Sequence, residues 1–135
     1  MEKVLMLNSK TLEFTEVELK SNKVSLGEMY ENIGCLYVEH MSGYNRELDE
    51  MQIGMWVDEE YRLHEDWMED ISLVFVNKSG RIIELVAGNI MFTYDGKDGE
   101  TYGLSDIQIK KIKELICDVK AVINVENRIV KMIVC

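Results

Sequence analysis

Residues 71–94 read ISLVFVNKSGRIIELVAGNIMFTY, three short apolar runs separated by two breaks. Ile71 to Val76, Arg81 to Ala87 and Ile90 to Tyr94 are too short for ordinary helices and rich in β-branched and aromatic residues, which predicts strands. Asn77-Lys78-Ser79-Gly80 is a good hairpin connection. Gly88-Asn89 is short enough to predict a tight turn or a bulge. Sequential strands joined this closely point to a mainly antiparallel sheet.

Working outward, Lys3 to Leu7 reads as a short buried strand and Asn8-Ser9-Lys10 as a turn. Thr11 to Leu19 alternates like a half-buried strand. Leu12 and Phe14 share one parity and Val17 and Leu19 the other, so a bulge near Thr15 or Glu16 is expected. Ser25-Leu26-Gly27-Glu28 has the form of a capping box, and Leu26, Met29, Tyr30 and Ile33 follow on one helical face. Gly34 ends that helix, and Cys35 to His40 resumes as a strand. Ser42 to Asn45 opens a polar excursion, and Gln52 to Val57 looks like another strand. Asp95 to Gly99 is a turn cluster. Ser105-Asp106-Ile107-Gln108 is a second capping box, with Ile109, Ile112, Leu115, Ile116 and Val119 on one helical face. After Asn124 the pattern allows helix or strand, and the β-branched content of Ile129 to Cys135 favours a strand. The expectation is an α+β fold: a mainly antiparallel β-sheet of five to seven strands with two packed α-helices.

The 135 residues fit a single domain spanning 1–135, with 47 % apolar and 30 % charged residues, a globular composition. No apolar run approaches the roughly 20 residues of a membrane helix, and Met1-Glu2-Lys3-Val4 does not open a signal peptide. Cys35, Cys117 and Cys135 are odd in number and widely spaced, which argues against a disulfide framework or a zinc site and fits a reducing cytoplasm. The net charge of −10 is unevenly spread. From Glu47 to Asp70 ten acids face one base, Arg62, so this window carries −9 and the other residues are close to balanced. From Ile107 onward six bases face three acids. Non-specific nucleic-acid binding is disfavoured, but a local cationic pocket is not.

Catalytic and metal-binding patterns are missing. His40 and His64 are the only histidines, and His64-Glu65-Asp66 are adjacent residues whose side chains diverge. The cysteines read as small buried hydrophobes, with Cys35 in an apolar strand and Cys117 on or beside an apolar helix face. Asp95-Gly96-Lys97-Asp98-Gly99-Glu100 places Lys97 and Gly99 where a calcium loop needs oxygen ligands. There is no phosphate-binding glycine motif. No cofactor and no metal are expected, and no enzymatic activity. Two features suggest binding instead. The acidic window also holds Trp56, Tyr61 and Trp67, a surface suited to a basic partner or to imitating nucleic-acid charge; its plainer reading is a solvated excursion. Arginines scattered among aromatics pair phosphates and stack on bases; their plainer reading is ordinary surface charge.

Ile33-Gly34-Cys35-Leu36-Tyr37-Val38-Glu39, Trp56-Val57-Asp58-Glu59-Glu60, Ala87-Gly88-Asn89-Ile90-Met91-Phe92, and Asp98-Gly99-Glu100 before Leu104-Ser105-Asp106 occur in that order. Over roughly residues 1–116 this resembles an uncharacterised small-domain family of phages, prophages and plasmids. Tyr61 stands where that family's turn usually has glycine, and Arg62 to Asp70 replaces a segment that usually contains proline and asparagine. The resemblance implies a mobile-element source and the cytoplasm of a bacterial host. It suggests an accessory protein that counteracts host defence. The leading expectation is sequestration of a small nucleotide immune signal by a homo-oligomer, the apolar C-terminal segment being more than a small domain covers alone. Arg46, Arg62 and Arg81 would hold phosphates, Trp56 and Trp67 would stack on bases, and Asn89 would bond a base edge. The alternative is an inhibitor that binds a host defence protein through the Glu47–Asp70 face, of the antirestriction, anti-CRISPR or DNA-mimic type. A small-metabolite enzyme comes third.

Overall fold

The structure, a computed structural model, describes residues 2–123 and 126–135. In chain order these form β1 (Lys3–Leu7), β2 (Phe14–Glu18), α1 (Leu26–Ile33), β3 (Val38–Met41), α2 (Arg46–Glu50) and β4 (Ile53–Asp58). Two 3-10 turns (Tyr61–Leu63 and Trp67–Asp70) lead to β5 (Ile71–Val76), β6 (Ile82–Ala87), β7 (Ile90–Asp95), β8 (Thr101–Tyr102), α3 (Asp106–Leu115), β9 (Cys117–Ile123) and β10 (Glu126–Val134). The fold is α+β and mostly antiparallel. Among the described residues it has ten strands and three helices, more than the five to seven strands and two helices expected.

The strands divide between two sheets. Sheet A is six-stranded, with order β2-β1-β7-β4-β3 and β8 beside β7; sheet B is four-stranded, with order β6-β5-β10-β9. Only the β10–β5 pair is parallel among the described strands. The chain crosses from A to B through the acidic window, between β4 and β5, and returns through Gly88-Asn89. The hairpin expected at Asn77–Gly80 forms between β5 and β6. Gly88-Asn89 makes no hairpin, because β7 pairs with β1 and β4 rather than with β6.

One core lies between the sheets, built from Leu5, Leu7 and Phe92 of sheet A, Leu73, Phe75 and Ile133 of sheet B, and Ile109 and Ile112 of α3. The outer face of sheet A packs Val4, Met6 and Met91 against Met29 and Ile33 of α1. Burying each of those two helix residues contributes roughly 1.5–3 kcal/mol. The outer face of sheet B packs Val74, Ala87 and Val130 under Tyr61, Trp67 and Met68 of the 3-10 turns.

With both faces of sheet A covered, Phe14 packs on one side and Val17 and Leu19 on the other. The parity change therefore needs no bulge, and β1 and β2 pair without a register shift from Lys3↔Glu18 to Leu7↔Phe14.

Both capping boxes form, at Ser25 with Glu28 and at Ser105 with Gln108. Gly34 closes α1 in the left-handed region at φ 82°, a conformation that costs glycine no Cβ clash. Helix α2 follows directly on the polar excursion at Ser42 to Asn45, and Asn45 caps it by accepting from the Leu48 N–H at 3.0 Å. Helix α3 stops at Leu115, so Val119 belongs to a strand and not to the helix. Its segment alternates as well as repeating at helical spacing, and seven ladder pairs with β10 settle the competition. The expected C-terminal strand forms as β10. The stretch left open after Asn124 is strand from Glu126, while Asn124 itself lies outside the described residues. Within the apolar C-terminal segment Val130 and Ile133 are fully buried in sheet B, while Ile129 and Val134 stay exposed. No described helix is long and apolar enough to cross a membrane.

Candidate functional site

Strands β3 and β6 are edges of sheets A and B, and a cleft of about 450 Å³ lies between them. That volume is in the range of ligand pockets. Its apolar lining includes Met41, Tyr44, Val57, Leu85, Val86 and Ala87. The Tyr44 ring stacks on Phe75 of the shared core, 4.3 Å between centroids, which fixes one wall. Around it stand Glu39 from β3, Asp58 and Glu59 from the end of β4, and Glu84 from β6. Four carboxylates thus stand around one guanidinium, Arg62; His40 lines the cleft as part of the β3 edge, with its imidazole turned to the other face of sheet A toward Trp56 and Asp95.

Arg62 is committed elsewhere. Its Nη2 lies 2.6 Å from Glu84 Oε1 and donates to the Leu85 carbonyl at 2.8 Å, while its guanidinium sits 5.0 Å above the Trp67 ring. Tyr61, also lining the cleft, is pinned from behind. Its hydroxyl donates to Asp70, which also pairs with Lys10. Burial pushes the Tyr61 hydroxyl up, and the adjacent Asp70 carboxylate pushes it further. Burial pushes the Asp70 carboxyl up too, but hydrogen bonds from Lys10 and Tyr61 outweigh it and hold the group below its ordinary 3.8.

The six residues expected to hold a nucleotide are not brought into one pocket. Arg62 and Trp67 meet as described, and of the six only Arg62 lines the cleft. Trp56 lies on the other face of sheet A, where its Nε1 donates to Thr93 Oγ1 at 2.9 Å. Asn89 is tied into the scaffold: its Oδ1 accepts from the Ser9 N–H at 2.9 Å and its Nδ2 donates to the Ile33 carbonyl at 3.3 Å. Arg46 is exposed on α2 and pairs with Glu50 at 2.9 Å. Arg81 is exposed at the β5–β6 turn, where its N–H donates to Asn77 Oδ1 at 2.9 Å.

Cleft residues outside the expected set include Glu39, Tyr44 and Glu84. Each comes from a different element, so no sequence spacing marks them as neighbours. Asp58 and Glu59, by contrast, belong to the acidic window already visible as a charge run.

Among the described residues no group of three or more His, Cys, Asp or Glu side chains could hold a metal ion. All three cysteines are free. Burial pushes the Cys35 and Cys135 thiols up, away from the reactive thiolate. Cys35 lies in the loop after α1 rather than in a strand, and Cys117 is exposed at the start of β9 rather than buried beside a helix. His40 Nε2 sits 2.7 Å from Asp95 Oδ2, with its ring edge-on to Trp56.

No curated protein and no solved structure matches the chain. A family match ends at Cys117, the first residue of β9, and thus leaves the β9–β10 hairpin outside it. It covers residues 1–117, most of the sequence, under the description Domain of unknown function (DUF3846), and the chain belongs to that family.

Proposed function

We propose that the protein is a non-catalytic binding protein that holds a basic segment of a partner protein in the cleft between β3 and β6. The observation that carries this reading is the cleft's composition: an apolar, aromatic-walled pocket ringed by Glu39, Asp58, Glu59 and Glu84. A lysine or arginine side chain offers both an aliphatic stem for the wall and a cation for the ring. A phosphate entering the same space would meet three carboxylates and a fourth already paired with Arg62. The setting suggested by the sequence resemblance completes the proposal: a mobile-element accessory protein in the bacterial cytoplasm, blocking a host defence protein.

A matched-charge experiment tests this. Hexalysine is titrated into the protein, into Glu39→Gln/Asp58→Asn/Glu59→Gln, and into Glu65→Gln/Asp66→Asn/Glu69→Gln, whose three acids are exposed outside the cleft. The cleft variant should bind about tenfold more weakly, with less dependence on salt, while the control variant binds like the parent. Equal loss in both variants would leave only net charge at work and remove the reading. Sequestration of a nucleotide signal is a second proposal, favoured only by the Arg62–Trp67 pair. A large thermal shift with an ADP-ribose-like or cyclic nucleotide, returned unaltered on heating and abolished by Arg62→Ala, would place it first.

A further inference from the structure

The two strand edges that flank the cleft differ in their hydrogen bonding. On β3, the Glu59 N–H donates to the Tyr37 carbonyl at 3.1 Å. In the register Glu39↔Val57 and Met41↔Met55, the same alternation turns the backbone groups of Glu39 and Met41 toward β4. The N–H and C=O of Val38 and His40 therefore point away from the sheet, and no hydrogen bond among the described residues engages them. On β6 the equivalent groups are taken. The Leu85 C=O accepts from Arg62 and its N–H donates to Glu84 Oε1 at 3.1 Å. The ladder also shifts register between Phe75↔Glu84 and Val76↔Ile82, leaving Ile83 unpaired. A bulge and a capped carbonyl are devices that keep an edge from pairing.

We propose that the open edge of β3 accepts an extended basic segment as a further strand of sheet A, with every second side chain, Lys or Arg, entering the cleft. This rests on the reading that the cleft binds a basic partner, and adds how the partner is held. Side chains alternate across a strand, so residues opposite Glu39 and Met41 share their face, which is the face lining the cleft. Backbone pairing with Val38 and His40 then fixes the segment while Glu39, Asp58 and Glu59 select its charge. A second copy of this chain is a poor occupant. If Val38 and His40 paired across a two-fold axis, Glu39 would lie opposite Glu39 of the other copy, and like charges directly opposed are destabilising.

The test uses three end-blocked peptides of sequence Thr-Lys-Thr-Lys-Thr-Lys-Thr: unmodified, N-methylated at the threonines, and N-methylated at the lysines. All carry the same charge. With lysines facing the cleft, the threonine N–H groups face β3 in an antiparallel pairing and the lysine N–H groups do so in a parallel one. Strand addition predicts that one methylated peptide binds about tenfold or more weaker than the other, the scale of losing one or two backbone hydrogen bonds. It also predicts that the amides of Val38 and His40 gain protection from hydrogen exchange. Equal affinity of the two methylated peptides overturns strand addition while leaving a basic-segment site in place. Absence of binding by all three at low salt overturns both readings.

Discussion

The edges of β3 and β6 flank one cleft, yet only one of them is closed. The β6 edge carries an unpaired Ile83 and an Arg62–Glu84 pair laid over Leu85. The β3 edge is four residues long and carries neither. Closure costs little in sequence, one arginine reaching from a 3-10 turn, but it needs that turn to be held in place. The contrast teaches that the acidic window is not merely a solvated loop. Its turns roof the outer face of sheet B and bring up the arginine that caps the β6 edge.

The largest expected effect comes from unseating the turn that holds Arg62. Gly88 has φ +86°, and a Cβ there would lie 2.7 Å from the Tyr61 ring. Gly88→Ala should therefore destabilise by about 2–4 kcal/mol, combining backbone strain with overpacking. A urea midpoint shift at unchanged slope would show it, and loss of the Arg62 contacts by NMR should accompany it.

Asp70→Asn should cost about 1–3 kcal/mol, because Lys10 and Tyr61 lose a charged acceptor that is mostly shielded from water. Its pH dependence has a definite sign. The folded carboxyl titrates below its ordinary 3.8, so the contribution is fully present above that value and is lost as pH falls through the folded value. Urea melts of the parent protein from neutral to acid pH should show this limb, and Asp70→Asn should flatten it. Identical acid limbs would mean that Asp70 does not anchor the turn.

The smallest stability effect is expected at the cap itself. The Arg62 side chain is 58 % exposed, so Arg62→Ala should change stability by no more than about 1 kcal/mol. What should change is the edge. With the Leu85 carbonyl uncovered, self-association measured by light scattering should rise, most at high salt where net repulsion is screened. If Arg62→Ala stays as monodisperse as the parent, the β6 edge is protected by its bulge alone and the comparison with β3 is sharpened accordingly.

Much of the local structure was legible because its causes are local. Ser25 with Glu28 and Ser105 with Gln108 bond across three residues, Gly34 ends α1 at its own φ, and Asn77 to Gly80 turns the chain between two adjacent runs. Those features follow from amino-acid identity and spacing. The fold has two sheets rather than one, no bulge at Thr15 or Glu16, and no gathering of the six candidate residues, since each of these turns on a non-local partner. Alternation along a strand says which residues share a face. It does not say which strand lies alongside, or whether both faces are covered.

For this protein, then, the sequence by itself determined the α+β class, both ends of α1 and the start of α3, and the acidic window between Glu47 and Asp70. Tertiary structure alone decided that Gly88-Asn89 crosses between two sheets instead of turning within one. It also decided that Glu39, Glu84 and Tyr44 meet Asp58 and Glu59 around a cleft. The physical reason is the range of the forces involved. Caps and turns close within a few residues, whereas strand partners and the charges gathered at a sheet edge are selected by packing among segments far apart in the chain.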